Sequence, residues 1–332
     1  MTTGISTTQL KDACEQGLAY LRQQQKANGA ITAANYGTFD VWETIEAAMA
    51  ITLWAEQESL QNDAVLSAAM AFLASSETDD GMVPDSAKRT DLYCIETSSE
   101  YLQLLKTLLE RQFPQRTDVI NQAQYICEKQ LNDGRWRIEN PAVSEDVQHL
   151  PSVTAFAMLA LLRVDTEPKY FLQALTFLTE GQLANGTWGQ HWQYYETPFY
   201  LMAPICELLQ RLNDNGRFDS YLAKAQRFVL SEQQSDGRLV SGQTDGENQI
   251  SESLHTVLGL KTLLATGIQL DDPNVQKALK WLLSQQSENG CWHGGVFPHP
   301  NVKIKKNEDV FCSAQVLVML NRYWQLSQGY KV

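Results

Sequence analysis

Several common signatures are missing from this sequence. No stretch approaches the roughly 18 uninterrupted apolar residues of a membrane span. Basic residues are also scarce, since 26 Lys and Arg stand against 39 Asp and Glu, for a formal net charge of −13. Nucleic-acid binding relies on clustered Lys and Arg. The sequence therefore predicts neither a membrane-spanning nor a nucleic-acid-binding protein.

Short motifs of common enzyme classes are absent as well. The sequence contains no G-x-x-x-x-G-K-[ST], G-x-G-x-x-G, H-E-x-x-H or G-x-S-x-G. These absences exclude the usual phosphate-loop, dinucleotide, metalloprotease and serine-hydrolase sites. No D-D-x-x-D segment occurs either, so we expect magnesium not to be essential.

The cysteines form no recognisable framework. All six (Cys14, Cys94, Cys127, Cys206, Cys291 and Cys312) are scattered, with no C-x-x-C pair. Scattered cysteines are typical of free thiols in a reducing compartment. The first residues also lack the basic start and apolar run of a secretory signal. We therefore expect a cytoplasmic location.

A repeat is present from one end of the chain to the other. Each copy has an aromatic residue nine positions before a glycine, a Gln (Glu77 in the second copy) four before it, and Asn or Asp directly before it. Successive glycines are separated by 52, 53, 52, 51 and 53 residues; they are Gly29, Gly81, Gly134, Gly186, Gly237 and Gly290. So constant a period indicates one repeat architecture.

Each copy is predicted to form two helices. Glycine ends the first helix because it tolerates the left-handed conformation found at helix ends. The second helix is apolar nearly all round, which is typical of a helix buried on both sides, and it has acidic residues near its start. The second helices are predicted to begin near residues 40, 91, 144, 195, 250 and 308 and to form an inner ring.

We predict a single domain over residues 1–332, an all-α (α/α)6 barrel, or toroid, of six helix-hairpin repeats. Stacked pairs bury a continuous apolar face. The terminal copies show no polar capping face, which favours closure over an open solenoid. The predicted repeats cover residues 8–56, 61–110, 116–163, 168–212, 220–265 and 272–326.

The segment from Lys277 to Trp292, read as K-A-x-x-W-L-x-x-x-Q-x-x-x-G-x-W, resembles the QW motif of triterpene cyclases. Weaker copies end at Trp136 and Trp188. The resemblance is to the superfamily of terpenoid cyclases and protein prenyltransferase β subunits, and it implies an (α/α)6 barrel over nearly the whole chain. It also implies that the Gln and Trp of the motif tie outer helices to their neighbours and take no part in catalysis.

Family members that protonate an isoprenoid carry a D-x-D-D-T segment, whose second Asp is the proton donor. The nearest segment here runs from Asp40 to Thr44, D-V-W-E-T, and it places Trp42 where that donor would be. We therefore predict Glu43 as the general acid with Asp40 as its partner. Glu196, within the aromatic run Y-Y-E-T-P-F-Y, is the second choice for the acid.

Aromatic residues cluster near the predicted starts of the inner helices. Ring faces stabilise a nearby cation, and a carboxyl buried among rings keeps its proton more readily and becomes a usable acid. Three of the candidate acids precede a threonine, whose hydroxyl is predicted to orient the carboxyl. The predicted substrate contacts are Trp42, Tyr93, Glu96, His149, Tyr194, Tyr195, Phe199, Tyr200, His255 and Phe311, with Glu252 as a further candidate acid.

Zinc is the alternative cofactor that the resemblance raises. Prenyltransferase β subunits bind zinc through a D-x-C arrangement and a later His. Here Asp91 and Cys94, like Asp309 and Cys312, are one residue too far apart, although His255 lies in a segment that resembles the family's histidine segment. Zinc needs three converging protein ligands. Cys94, His255 and Cys312 are the alternative zinc set.

The function predicted from the sequence is cofactor-independent, acid-initiated cyclisation or isomerisation of an isoprenoid or polyene in a central cavity. The alternatives are a zinc-dependent prenyltransferase-like enzyme and a non-catalytic barrel that binds a hydrophobic ligand. The expected partner is an apolar small molecule, with weak membrane association as an alternative, and the chain is expected to be a monomer or homodimer. The basic run of Lys303, Lys305 and Lys306 is expected to be a solvated loop.

Overall fold

The computed structural model describes residues 5–33, 39–88, 94–114, 118–138, 145, 148–188, 197–241, 250–299 and 304–330. Contacts divide the chain into two compact units. Unit 1 comprises Met1–Leu21 and Gln182–Val332, and unit 2 comprises Arg22–Gly181. That the whole chain is one domain stays a prediction.

The helices follow the predicted pairs. The first eight are α1 (Thr7–Gln23), α2 (Asp40–Trp54), α3 (Gln57–Leu60), α4 (Ala64–Ser76), α5 (Ile95–Glu110), α6 (Val119–Glu128), α7 (Pro151–Arg163) and α8 (Phe171–Glu180). They are followed by α9 (Pro198–Arg211), α10 (Asp219–Ser231), α11 (Glu252–Ala265), α12 (Pro273–Ser284) and α13 (Asp309–Ser327). Apart from the short α3, first and second helices alternate along the chain, which confirms an all-α fold of helix-hairpin repeats.

The second helix of each pair is the more deeply buried one, as predicted. Twelve of the sixteen residues of α5 and twelve of the fourteen of α11 are buried. In contrast, three of the ten residues of α8 and four of the twelve of α12 are buried. The second helices α2, α5, α7, α9, α11 and α13 are called the inner helices below, and the first helices of the pairs are called the outer helices.

Three local predictions were wrong. The repeat glycine does not end the first helix, since α12 ends at Ser284 with Gln285 as its C-cap and Gly290 lies in the turn that follows. The third inner helix, α7, begins at Pro151 and not near residue 144, because proline is suited to the first helical turn, where its missing N–H costs nothing. The segment that contains Lys305 and Lys306 is not a plain loop. Strand β1 (Val296–His299) pairs antiparallel with β2 (Ile304–Asn307), with Val296 opposite Asn307.

The repeated Gln ties consecutive outer helices together. Gln233 Nε2 donates to Gly237 O at 3.0 Å and to Asn274 O, at the start of α12, at 2.9 Å. Gln286 Nε2 donates to Gly290 O at 2.9 Å and to Ala13 O of α1 at 2.8 Å. The last outer helix is thereby hydrogen-bonded to the first. Gln25 and Gln182 make the corresponding contacts in their copies, whereas Gln130 donates to Gly134 O and accepts from Tyr170 N of the next repeat.

Gln233→Leu is expected to lower the free energy of unfolding by about 1–3 kcal/mol, because two backbone carbonyls lose their donor. Urea unfolding monitored by circular dichroism measures this loss. The matched control is Gln234→Leu, since Gln234 is exposed and donates to Glu232 O at 3.1 Å. Equal losses in both variants would contradict a role for Gln233 as a tie.

A second repeated contact was not predicted. A hydroxyl on the inner helix accepts a hydrogen bond from the backbone N–H two residues after the repeat glycine. Thr44 accepts from Ile31 N at 2.9 Å, Thr256 from Leu239 N at 3.1 Å, and Ser313 from Trp292 N at 3.0 Å; Ser98 and Thr154 do the same. This contact fixes the start of each of these inner helices against the segment that leads into it.

Candidate functional site

The first turns of α2 and α5, with the segment between them, gather buried carboxyl groups in unit 2. Asp40, Glu43, Asp85 and Glu96 are each no more than 5% exposed. Glu46 and Glu100 are each 8% exposed. Burying a carboxylate is costly unless hydrogen bonds or protonation compensate it. The contacts of each group therefore indicate its role.

Asp40 and Glu43 are hydrogen-bonded to the segments that follow the repeat glycines. Glu43 Oε2 accepts from the Thr32 hydroxyl and from Ala33 N, the latter at 3.3 Å. Asp40 Oδ1 accepts from Ala87 N at 3.0 Å. Hydrogen bonds of this kind favour the ionised form of a carboxyl. These contacts suit a structural carboxylate better than a proton donor.

The hydroxyls of Thr44 and Thr97 donate to groups other than the acids beside them, so the prediction was wrong for these two pairs, while Glu196 lies outside the described residues. Thr44 Oγ1 donates to Asp40 O at 2.5 Å and accepts from Ile31 N. Thr97 Oγ1 donates to Asp85 Oδ1 at 2.5 Å. Both hydroxyls hold the helix start instead.

One face of α2 remains accessible on an otherwise buried helix. Trp42, Met49 and Leu53 are partly exposed, while the residues between Trp42 and Met49 are buried. Their spacing of seven and four residues places them on one side of a helix. Glu46 lies on the same line, whereas Glu43 and Asp40 lie about 100° and 160° around the helix from Trp42.

The same kind of face occurs on α5. Gln103 and Lys106 are partly exposed among buried neighbours. Glu96 and Glu100 lie seven and three residues before Gln103, so both fall on this side of the helix. We call the two lines of side chains, from Trp42 to Leu53 on α2 and from Glu96 to Lys106 on α5, the accessible stripes.

Trp42 connects the two stripes. Its indole Nε1 donates to Glu100 Oε2 at 2.8 Å, and its backbone N donates to Asp85 O at 3.3 Å. The residue that stands at the position of the family's proton donor therefore binds a carboxylate of the neighbouring inner helix. Sequence reasoning singled out Trp42 but not its partner Glu100.

Cys94 caps α5 within the acidic cluster. Burial raises the pKa of its thiol well above the usual value, and negative charge on Glu96, Asp85 or Glu100 raises it further. Cys94 is thus held as a neutral thiol, which is a poor nucleophile. All three carboxyls act on the same thiol, so they lie close to one another around Cys94.

In unit 1, the structure brings together two of the predicted aromatic residues. The rings of Tyr200 on α9 and Phe311 on α13 lie 6.3 Å apart between centroids, inclined by 52°. Phe199 packs edge-on against Phe228 of the outer helix α10, with centroids also 6.3 Å apart. Phe199 is therefore part of the core between α9 and α10.

His255 is a core residue as well. Its side chain is 1% exposed, and burial lowers its pKa to about 4. A histidine with so low a pKa is neutral over the physiological range. It does not act as a cationic group in unit 1.

A polar group on α9, α11 and α13 was not predicted. Arg322 Nη1 donates to Glu207 Oε2 at 2.7 Å, and Lys261 Nζ donates to Gln315 Oε1. Burial acts to raise the pKa of Glu207, but the charges of Arg322 and Lys261 lower it overall. The Glu207 side chain is 41% exposed, so this polar group is reachable by solvent.

Two further predicted site residues, His149 and Glu252, do not join these clusters in the structure. His149 lies in the turn before α7, where burial and the charges of Arg135 and Arg137 lower its pKa. Glu252 is 52% exposed at the side chain and pairs with Arg238 at 3.1 Å. Tyr93, Tyr194, Tyr195 and Glu196 lie outside the described residues.

Among the residues that the structure describes, one group of His, Cys and carboxylate ligand atoms is close enough to share a metal ion. It consists of Cys291, His293 and Asp309. The group contains none of the three residues Cys94, His255 and Cys312 that were predicted as the alternative zinc set.

The comparisons with known proteins identify the family. Residues 85–296 match the family model of the prenyltransferase alpha-alpha toroid domain. The chain therefore belongs to that family, within the superfamily of terpenoid cyclases and prenyltransferase β subunits, and its fold is the α/α toroid. A search of curated proteins finds no match.

Solved structures agree with this fold. A variant of the type II terpene cyclase MstE from Scytonema, in complex with its substrate geranylgeranyl dihydroxybenzoate, matches with a TM-score of 0.71 and 16% identity over 95% of this chain and 97% of that one. The ent-copalyl diphosphate synthase from Streptomyces platensis matches with a TM-score of 0.57 and 15% identity over 88% of this chain and 51% of that one.

The fold is shared with a different enzyme class too. A possible member of the GH105 family from Salmonella enterica serovar Paratyphi A matches with a TM-score of 0.66 and 12% identity over 98% of this chain and 96% of that one. Because one fold hosts several chemistries, function has to be argued from the site. None of the described helices is long and apolar enough to cross a membrane.

Proposed function

We propose that this protein is a terpenoid-cyclase-like enzyme that starts the cyclisation or isomerisation of an isoprenoid or polyene by protonating it. The observation that carries the proposal is the position of the buried Glu96 and Glu100 in line with the partly exposed Gln103 on α5, with Glu100 hydrogen-bonded to Trp42. The family supports an isoprenoid substrate, since MstE was solved with geranylgeranyl dihydroxybenzoate bound.

Glu96 is the proposed proton donor. It is 2% exposed and lies one helical turn from Glu100, on the same side of α5. Glu100 accepts the Trp42 indole N–H at 2.8 Å, which favours Glu100 as the ionised member. Two neighbouring buried carboxyls do not readily carry charge together, and the proposal assigns the transferable proton of this pair to Glu96.

Glu43 and Asp40 are retained in the proposal as supporting residues. Their hydrogen bonds to Thr32, Ala33 and Ala87 hold the segments that lead into the stripes. No cofactor is needed for protonation by a carboxyl group.

The first experiment is a substrate screen with the purified chain. The panel contains geranylgeranyl dihydroxybenzoate, linear prenyl diphosphates and the corresponding alcohols, with products identified by mass spectrometry. We expect a product of the same mass as its substrate, because protonation followed by loss of another proton is an isomerisation. If the protein consumes no member of the panel, the proposal is contradicted.

Metal removal separates this function from zinc-dependent prenyl transfer. Protonation by Glu96 should survive incubation with a chelator, with the initial rate measured below the unfolding temperature of the chelated protein. Prenyl transfer through a zinc-bound thiolate should lose its activity under the same treatment. Loss of all product in chelated but folded protein would therefore favour the zinc alternative.

A further inference from the structure

Three side chains of different ligand types meet at the start of α13 in unit 1. Cys291 Sγ lies 3.8 Å from His293 Nδ1, and His293 Nδ1 lies 3.3 Å from Asp309 Oδ2. The three ligand atoms all lie within 4.8 Å of one another. Thiolate, imidazole and carboxylate are the protein ligands of zinc.

Two of the three separations match those of a tetrahedral metal site, and the third is within 4.8 Å. Ligands bonded to zinc at about 2.0–2.3 Å and at the tetrahedral angle are about 3.3–3.8 Å from one another. In a Cys-His-Asp catalytic relay, the thiol contacts one ring nitrogen of the histidine and the carboxylate contacts the other. Here both approach the same Nδ1 of His293, which suits convergence on one cation and not proton relay.

The preceding copy of the repeat has an arginine where the last copy has Cys291. There Arg238 follows the repeat glycine, and it pairs at 3.1 Å with Glu252, the first residue of α11. In the last copy the corresponding residues are Cys291 and Asp309, the first residue of α13. The carboxylate is retained, but the arginine that balanced it is replaced. A bound cation would restore the positive charge.

The backbone around the three side chains is already held in place. Gly294 N donates to Asp309 Oδ1 at 2.8 Å, which leaves Oδ2 turned to His293. The Ser251 hydroxyl donates to His293 O at 2.6 Å, and Asp309 N donates to Asn307 Oδ1 at 2.8 Å. Contacts of this kind orient metal ligands and raise the affinity of a site.

We propose that Cys291, His293 and Asp309 form a binding site for a divalent cation of the zinc class, with a fourth position open to water. Cys291 is buried, while the His293 side chain is 67% exposed, so the cation enters from the side of His293. On binding, the thiol proton leaves to solvent, and the thiolate, one imidazole nitrogen and one carboxylate oxygen bond to the metal.

In the free site, the surroundings of Cys291 hold the proton on its thiol. Burial raises the pKa of the Cys291 thiol, and the charge of Asp309 raises it further. A divalent cation reverses the effect of Asp309, because it attracts both the thiolate and the carboxylate. Binding should therefore weaken as the pH falls and protons compete for Cys291.

This arrangement differs from the one that the family resemblance suggests. The family's zinc ligands are a D-x-C pair and a later His on inner helices. Here two ligands come from the C-x-H segment that follows Gly290, and the third begins α13. The proposed site belongs to the last copy of the repeat alone, since no other copy places Cys and His one and three residues after its glycine.

The test is metal binding by the full chain, purified without a histidine tag. After dialysis against Zn²⁺ and removal of loosely bound ions, elemental analysis should find about one zinc per chain. His293→Ala and Cys291→Ser should each weaken binding by at least about tenfold, and Cys127→Ser, which changes a half-buried thiol elsewhere, should not. Circular dichroism checks that each variant is folded.

Cobalt provides a second readout. Co²⁺ bound by the wild-type chain should show a thiolate-to-metal charge-transfer absorption that is lost in Cys291→Ser and retained in Cys127→Ser. Two results would overturn the proposal. One is wild-type protein that retains no metal. The other is metal that stays equally bound in folded His293→Ala and Cys291→Ser, which would leave His293 and Asp309 as an ordinary ion pair.

Discussion

Gly290→Ala is expected to lower the free energy of unfolding by about 2–5 kcal/mol. Gly290 has a φ of +87°, and a Cβ built on it would lie 2.3 Å from the backbone oxygen of Gln16 in α1. The substitution therefore combines left-handed strain with a clash against helical backbone, which does not move aside as a flexible side chain does. The glycine is required both for the turn that follows α12 and for the close approach of α1.

The matched control separates the two costs. Gly267, after α11, has a φ of +78°, but the nearest atoms to its added Cβ belong to the flexible side chain of Gln210 at 3.4 Å or more. Gly267→Ala should therefore cost only the left-handed strain, about 1–2 kcal/mol. Chemical denaturation of both variants, monitored by circular dichroism, measures the difference. Equal losses would show that the close approach of Gly290 to α1 contributes nothing.

Glu96→Gln is expected to reduce turnover by at least about 100-fold, because the amide keeps the shape of the side chain and cannot deliver a proton to carbon. The change should be seen in kcat, with KM little altered, since the substrate contacts of the stripe remain. Steady-state kinetics on the substrate found in the screen provides the measurement.

Glu110→Gln is the control on the same helix. Glu110 ends α5 and pairs with Arg163 at 2.6 Å, away from the first turn. Its replacement should leave turnover within about twofold of wild type while weakening an exposed ion pair. Glu43→Gln should reduce stability more than kcat. If Glu43→Gln abolishes turnover and Glu96→Gln does not, the sequence-based choice of Glu43 is right and the assignment of Glu96 is wrong.

The fold could be predicted from the sequence because the repeat is long and regular. Six glycines at nearly constant spacing mark the turn that follows each outer helix, and the continuous apolar character of the second helices indicates their burial. The start of α7 could not be placed, because acidic residues near 144 resemble a helix start while Pro151 provides the actual one. The β1–β2 hairpin was missed since its basic residues resemble a solvated loop.

The site was harder to predict, because a residue's type does not reveal which side of a buried helix it occupies. Asp40 and Glu43 match a family segment, yet they are hydrogen-bonded to neighbouring segments. The helical spacing from Trp42 to Met49 and Leu53 was available in the sequence, and it would have directed attention to Glu46 on the same line. What the sequence cannot supply is the contact between helices, such as that of Trp42 with Glu100.

The Cys291 cluster was missed for a different reason. Its third member, Asp309, is separated from His293 by a hairpin that the sequence did not reveal. A comparison of the repeat copies could have revealed the cluster. Cys and His stand one and three residues after the last repeat glycine, where other copies have Arg135, Arg137 and Arg238. A repeat protein's departures from its own pattern are therefore informative about sites.

The most direct test of acid-initiated chemistry is to run the reaction in D₂O and analyse the product by mass spectrometry. The proton of Glu96 exchanges with solvent, so protonation of a carbon–carbon double bond should place one deuterium in each product molecule, raising its mass by one unit relative to the product formed in H₂O. A product formed in D₂O without deuterium would contradict protonation as the first step.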